Sequence, residues 1–249
     1  MSALETALAT HGLGWLILAA SLAGLVRGFT GFGTALVFMP VAGAVVPPFW
    51  ALVVLVVMDS IGPLPNLPRA LRDGSPREVA RVMGGVIVGL PMGVWLLDRL
   101  PVTVFQWAVS VLALALVAIL LCGWRYRGPH GPVVSGAAGW VSGFLGGSTG
   151  LGGPPVVLYY MASGLPAVQL RGNFLLFFVG INAAFLVTLA VMGHLALAAA
   201  VLGLVLVPPF LLANILGAAM FRPEREALYR GVAFGIITLA ALSGMPVWR

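Results

Sequence analysis

The chain has 249 residues, 61% of them hydrophobic and 8% charged, with a mean hydropathy of +1.09, a composition that excludes an ordinary water-soluble domain. The net charge of +6 comes from arginines placed mostly in short stretches between apolar segments, so it marks membrane orientation rather than a nucleic-acid partner. A single cysteine, Cys122, excludes an internal disulfide, no Cys/His cluster has metal-ligand spacing, and neither a metal nor another cofactor is implied.

In chain order, the first apolar stretch, Leu13 to Val26, is preceded by one charge, Glu5, and by no basic segment or cleavage signal, so it is expected to remain in the mature protein. Region 12–46 is apolar but cut by Gly28-Phe-Thr-Gly-Phe-Gly33, which predicts two shorter helices around a break. Uninterrupted spans are predicted over 50–67, 80–97 and 104–123. Asn66, set among Pro63, Pro65 and Pro68, marks a helix end. A second cut region, 133–163, carries Gly143-Phe-Leu-Gly-Gly-Ser-Thr-Gly-Leu-Gly-Gly153, and spans over 168–192, 196–220 and 228–245 follow.

The two cut regions align. Gly24, Gly28, Phe29, Gly31 and Thr34 fall on Gly139, Gly143, Phe144, Gly146 and Thr149, 115 positions later. Downstream, Gly85 and Pro91 fall on Gly203 and Pro209 at a separation of 118, and Gly123 on Gly244 at 121. The chain therefore reads as an all-α integral membrane protein of two repeats, 1–123 and 133–249, joined by a cytoplasmic linker, 124–132. Each repeat holds a broken or paired-helix segment plus three full spans, about 8 to 10 transmembrane segments in all. Three arginine clusters (Arg69, Arg72, Arg77 and Arg81; Arg125 and Arg127; Arg222, Arg225 and Arg230) are assigned to the cytoplasmic face. Region 12–46 then enters and leaves from outside and 133–163 from the cytoplasm, an inverted repeat with both termini periplasmic.

Irregular backbone at membrane depth survives only where protein buries it or where it lines a polar cavity. Backbone N–H groups of Gly31, Gly33 and Gly150, with the hydroxyls of Thr30, Thr34, Ser148 and Thr149, are candidate donors to an anion. A helix starting at Thr34 or Thr149 would aim its positive end at the same place. The competing reading is that the glycines only allow close helix packing. Arg27, whose aligned mate is Ser142, has the planar donor fork that suits an oxyanion, or else snorkels to the interface. Arg171 and Asn173, in Leu170-Arg-Gly-Asn173, are further candidate ligands, with an interfacial anchor as the alternative for Arg171. Asp59 falls inside an apolar span, where a carboxylate couples protons or pairs with an arginine. Gly146-Gly-Ser-Thr-Gly150 matches the G-x-S-x-G pattern, so an intramembrane hydrolase using Ser148, with His194 as base, is the alternative from another class. It lacks the strand-to-helix elbow that such a nucleophile needs, and its His194 loop falls on the opposite face, so the chain reads as no enzyme.

The segments Gly24 to Pro40 (GLVRGFTGFGTALVFMP) and Gly139 to Tyr160 (GWVSGFLGGSTGLGGPPVVLYY), followed by Leu165-Pro-Ala-Val-Gln-Leu-Arg-Gly172, resemble the TauE/SafE-type sulfite exporter and organosulfonate transporter family. The resemblance covers nearly the whole chain. It implies a duplicated membrane fold, functional importance for both glycine motifs and for Arg171, and movement of sulfite or an organosulfonate across a bacterial inner membrane. One departure bears on the substrate: Gly31-Phe-Gly-Thr-Ala35 stands where many members carry a run of glycines. The expectation is a secondary transporter of a small sulfur-containing anion working by alternating access, with Asp59 as the candidate proton coupler and a passive anion channel as the further alternative. Expected partners are the anion and membrane lipid, with homo-oligomerisation left open.

Overall fold

The computed structural model describes residues 2–122, 128 and 131–248. Gly123, Arg125, Arg127 and most of the linker lie outside these. Every regular element among the described residues is helical. In chain order they are α1 (Ala3–Leu8), α2 (Leu13–Thr30), α3 (Thr34–Val45), α4 (Pro48–Ile61), α5 (Leu67–Asp73), α6 (Pro76–Leu97), α7 (Val102–Leu121), α8 (Pro132–Thr149), α9 (Gly153–Ala162), α10 (Ala167–Val191), α11 (Leu197–Met220) and α12 (Glu226–Ser243).

Five helices, α2, α6, α7, α10 and α11, are long and apolar enough to cross a membrane. A sixth candidate is the pair α4 and α5, bent by 44°. The sequence predicted one span over 50–67 here. The helix instead stops at Ile61, because Pro63, Pro65 and Pro68 cannot donate to the ladder, and a short 3₁₀ turn over Leu64–Asn66 carries the chain around the bend. Large apolar side chains such as Ile87, Val187, Leu212 and Leu239 stay exposed, on surfaces that a hydrocarbon solvent would cover.

The two cut regions have one design. α2 and α8 both run for 18 residues, each is closed by a left-handed glycine (Gly31, φ 78°; Gly150, φ 80°), and a short break leads to α3 or α9. The starts of α2 and α8, their ends, the capping glycines, and the starts of α3 and α9 all lie 119 positions apart. Pro47 and Pro166, the extended residues opening α4 and α10, keep that spacing. The expected register of 115 is therefore corrected by four residues, and the position matching Arg27 is Gly146, not Ser142.

Glycines set how these helices are braced. Gly24 and Gly28 of α2 lie against the backbone of Phe210, Asn214 and Ala218 in α11. Gly143 and Gly147 of α8 lie against Val86, Leu90 and Val94 in α6, each 124 positions before its α11 counterpart. Both contacts bring backbone to backbone, the close approach that small residues permit between membrane helices. In both, residue numbers rise together, so α2 runs in the direction of α11 and α8 in that of α6. Gly85 and Gly203, expected to correspond, have unlike neighbours: Gly136 and Trp140 of α8 in one case, Val57 of α4 in the other.

α10 follows α6 in direction, since Gly172 touches Gly74, just before α6, and Gly180 faces Met83. The loop before α6 is tied to α10: the Ser75 N–H donates to Asn173 Oδ1 at 2.6 Å and the Gln169 amide to Ser75 Oγ at 2.5 Å. At the far ends of these helices, His194 Nε2 lies 3.5 Å from the Asp98 carboxylate and its ring stacks on Phe49 at 3.8 Å.

Candidate functional site

Each break is shaped by a threonine that ends its helix. Thr30 Oγ1 donates to the Val26 carbonyl at 2.9 Å and accepts the Phe32 N–H at 3.3 Å. Thr149 Oγ1 does the same with the Leu145 carbonyl at 2.7 Å and the Leu151 N–H at 3.3 Å. Ser148 Oγ donates to the Phe144 carbonyl at 2.8 Å, and the Ser142 hydroxyl donates to the Gly152 carbonyl across the turn. These hydroxyls hold backbone in place, as serine and threonine do beside irregular helix ends.

Between the breaks lies a cavity of about 50 Å³. Gly33 and Thr34 border it from the first break, and Gly150, Gly152 and Gly153 from the second. Arg27 reaches it from the last turn of α2, where the helix dipole favours a cation. Its Nη1 donates to Asp59 Oδ1 and, at 3.2 Å, to Thr34 Oγ1. The two charged side chains are 13% and 8% exposed, so the ion pair is withdrawn from solvent. The Phe178 ring lies 5.4 Å from the guanidinium, within cation–π range. Phe178 stands 119 positions after Asp59, so Arg27 touches a carboxylate from one half and an aromatic ring at the matching position of the other.

α3 begins at Thr34, as the sequence predicted. Its N-cap, Gly33, holds a left-handed conformation (φ 96°) and has no side chain to cap the first-turn N–H groups. Thr149, expected to start a helix, instead closes α8, and α9 begins at Gly153. The reason is Gly150, whose positive φ ends α8 one residue later. Pro154 and Pro155 then occupy the first turn of α9 and carry no N–H. The two breaks are thus alike in shape and unlike in donors.

Of the residues singled out from sequence, Arg27, Gly33, Thr34, Asp59 and Gly150 meet at this cavity. Thr30, Gly31, Ser148 and Thr149 stand behind it without forming its wall. Arg171 is exposed near the start of α10, and Asn173 is fully buried against the Gly74–Ser75 turn, so neither joins the wall. The wall contributed by α10 consists of Phe178, Ile181, Asn182 and Phe185, none of which the sequence reading named. Their i, i+3, i+4, i+7 spacing, with one amide among apolar residues, was the available signal. No group of three metal-ligating side chains occurs among the described residues. His194 has Asp98 and Phe49 as neighbours, whereas Ser148 packs its backbone on Gly93 of α6.

A family model described as sulfite exporter TauE/SafE matches residues 16–244. A curated relative from Cupriavidus necator, described as a probable sulfite/organosulfonate exporter TauE, is 29% identical over 223 residues, 84% of either chain. No solved structure matches. Exporters of this kind are membrane transporters, which removes the Ser148 hydrolase. The family match takes in both breaks, the charge pair and the α10 wall, and on that evidence the chain belongs to the TauE/SafE sulfite exporter family.

Proposed function

We propose that the protein is a secondary transporter that moves a small sulfur oxyanion across the bacterial inner membrane by alternating access to the cavity between the breaks. The observation that carries this reading is the meeting of Arg27, the Thr34 hydroxyl and the uncapped start of α3 at one buried cavity. A fixed cation, a hydroxyl and free backbone N–H groups together suit an oxyanion. Arg27 uses Nη1 for both of its side-chain hydrogen bonds, to Asp59 and to Thr34. The volume of about 50 Å³ holds roughly four water-sized groups, which favours sulfite, with four heavy atoms, over a bulkier organosulfonate.

Asp59 already occupies Arg27, so an incoming anion competes with it. Protonating Asp59 releases the guanidinium, and this links anion binding to proton uptake.

Helix directions support an inverted repeat. α8 runs with α6 and α2 with α11, while α10 runs with α6 and turns into α11 within a short loop. α6 and α11 are then antiparallel, and the two breaks enter from opposite faces. Counting both arms of each break brings the crossing or re-entrant segments to about 8 to 10. The loops holding Asp98 and His194 meet on one face, assigned to the periplasm with both termini, and the arginines of 69–81 lie on the other.

The test is sulfite flux into proteoliposomes. The expected result is saturable uptake with counterflow, about tenfold weaker in Thr34→Val and unchanged in Thr149→Val. Flux that never saturates and shows no counterflow identifies a channel, and equal effects of the two variants rule out the asymmetric donor set.

A further inference from the structure

We propose that Asn182 is a neutral hydrogen-bond donor to the transported oxyanion, supplied by the second half of the chain to complete the site that Arg27 and Thr34 begin. This rests on the reading of the cavity as an anion site.

Asn182 lies on α10 one turn beyond Phe178, the ring beneath the Arg27 guanidinium, and it lines the cavity. The residue is 7% exposed, and its Nδ2 has no hydrogen-bond partner. A buried amide N–H without an acceptor is unfavourable, and such groups are rare in folded proteins unless water, an ion or a ligand completes them. The neighbours on its own stripe, Phe178, Ile181 and Phe185, offer no side-chain acceptor. Asp59, the carboxylate on the wall, is held by Arg27. What the cavity lacks for this amide is an acceptor, and an oxyanion brings several.

The arrangement also separates charge from count. One guanidinium, offset by Asp59, supplies the positive charge, and Thr34, the first turn of α3 and Asn182 add donors without adding charge. A site built this way recognises an ion by the number and direction of its oxygens, so a halide of equal charge gains less from it.

The experiment uses the purified full-length protein, with sodium sulfite as probe and sodium chloride as control, read by calorimetry and by thermal melting. Asn182→Leu keeps the branched shape and removes the donor, and Asn182→Asp keeps the size and presents a carboxylate. Sulfite binding is expected to weaken at least tenfold in Asn182→Leu and to disappear at neutral pH in Asn182→Asp. The ligand-free melt of Asn182→Leu should equal or exceed that of the unaltered protein, because an unpaired buried amide is gone. A merely structural asparagine gives the opposite result, a lower ligand-free melt with sulfite affinity retained, and that overturns the proposal. If Asn182→Leu does not fold, Asn182→Asp decides alone, and sulfite binding there at the unaltered affinity overturns it. If the unaltered protein binds no sulfite while Arg27→Met changes nothing, the anion-site reading itself falls, and the role of Asn182 falls with it.

Discussion

Arg27 and Asp59 form a pair whose members cannot be removed singly at low cost. In Arg27→Met the carboxylate is left in a site where it was 8% exposed, and in Asp59→Leu the guanidinium is left where it was 13% exposed. Stranding one member of such a pair costs about 3–5 kcal/mol, whereas removing both together is often close to neutral. At about 2–4 °C per kcal/mol for a chain of this size, each single variant should melt roughly 6–20 °C lower, and Arg27→Met/Asp59→Leu should recover most of the loss. The assay is thermal melting of the detergent-purified protein with and without sulfite. Sulfite should protect Asp59→Asn more than the unaltered protein, since the ligand then takes the place of the missing carboxylate on Arg27. It should protect neither variant that lacks Arg27. Additive single effects, with a coupling below about 0.5 kcal/mol, would refute the pairing argument. Equal sulfite protection of Asp59→Asn and the unaltered protein would refute the competition.

Gly139→Ala should lower the melt sharply and cut yield, because a Cβ there would overlap the Val82 carbonyl oxygen of α6, while Gly136→Ala, with open space around it, should be silent. Gly150→Ala should cost more than Gly31→Ala in the same melting assay. Both positions hold φ near 80°, worth about 1–2 kcal/mol against an L-residue, but at Gly150 the new Cβ would also come 2.8 Å from Met39 Cγ, whereas at Gly31 it meets nothing. Asn173→Ala should lower stability by about 1–3 kcal/mol by orphaning the Ser75 N–H, and should leave the calorimetric affinity for sulfite unchanged.

Part of the cavity wall was legible in the sequence. Arg27, Asp59 and Thr34 stood out because charge and irregular backbone are costly in lipid, and that cost is readable from residue type alone. The register of the repeat was misread because glycines abound in both motifs and align at several offsets. What repeats is the helix contact, Gly28 on Asn214 and Ala218, Gly147 on Leu90 and Val94, and contacts are invisible in one chain of letters. Thr149 was misplaced for a related reason: a left-handed Gly150 and two prolines decide where α8 ends and α9 begins, and a threonine beside a glycine run fits either side. Asn173 and Arg171 sit at the start of an otherwise apolar helix and attract notice, yet Asn173 is bound to the Ser75 N–H and Arg171 is exposed. Asn182, deeper in the same helix, passed unnoticed among aromatic residues.

The cavity wall is drawn from α2, α3, α4, α9 and α10 and the two breaks, and owes nothing to α6 or α11. Those two helices stand behind it, joined to α8 and α2 along seams where backbone touches backbone. A seam of this kind has no side chains to reorient and no slack to take up, so each joined pair behaves as one beam. On the alternating-access proposal, opening toward either face would come from one beam tilting against the other, with the light arms α3 and α9 as the parts carried along. The two seams match each other, but Arg27 and Asp59 ride on only one side of the frame, so on the same proposal the two directions of tilt would present an ion to unlike surroundings.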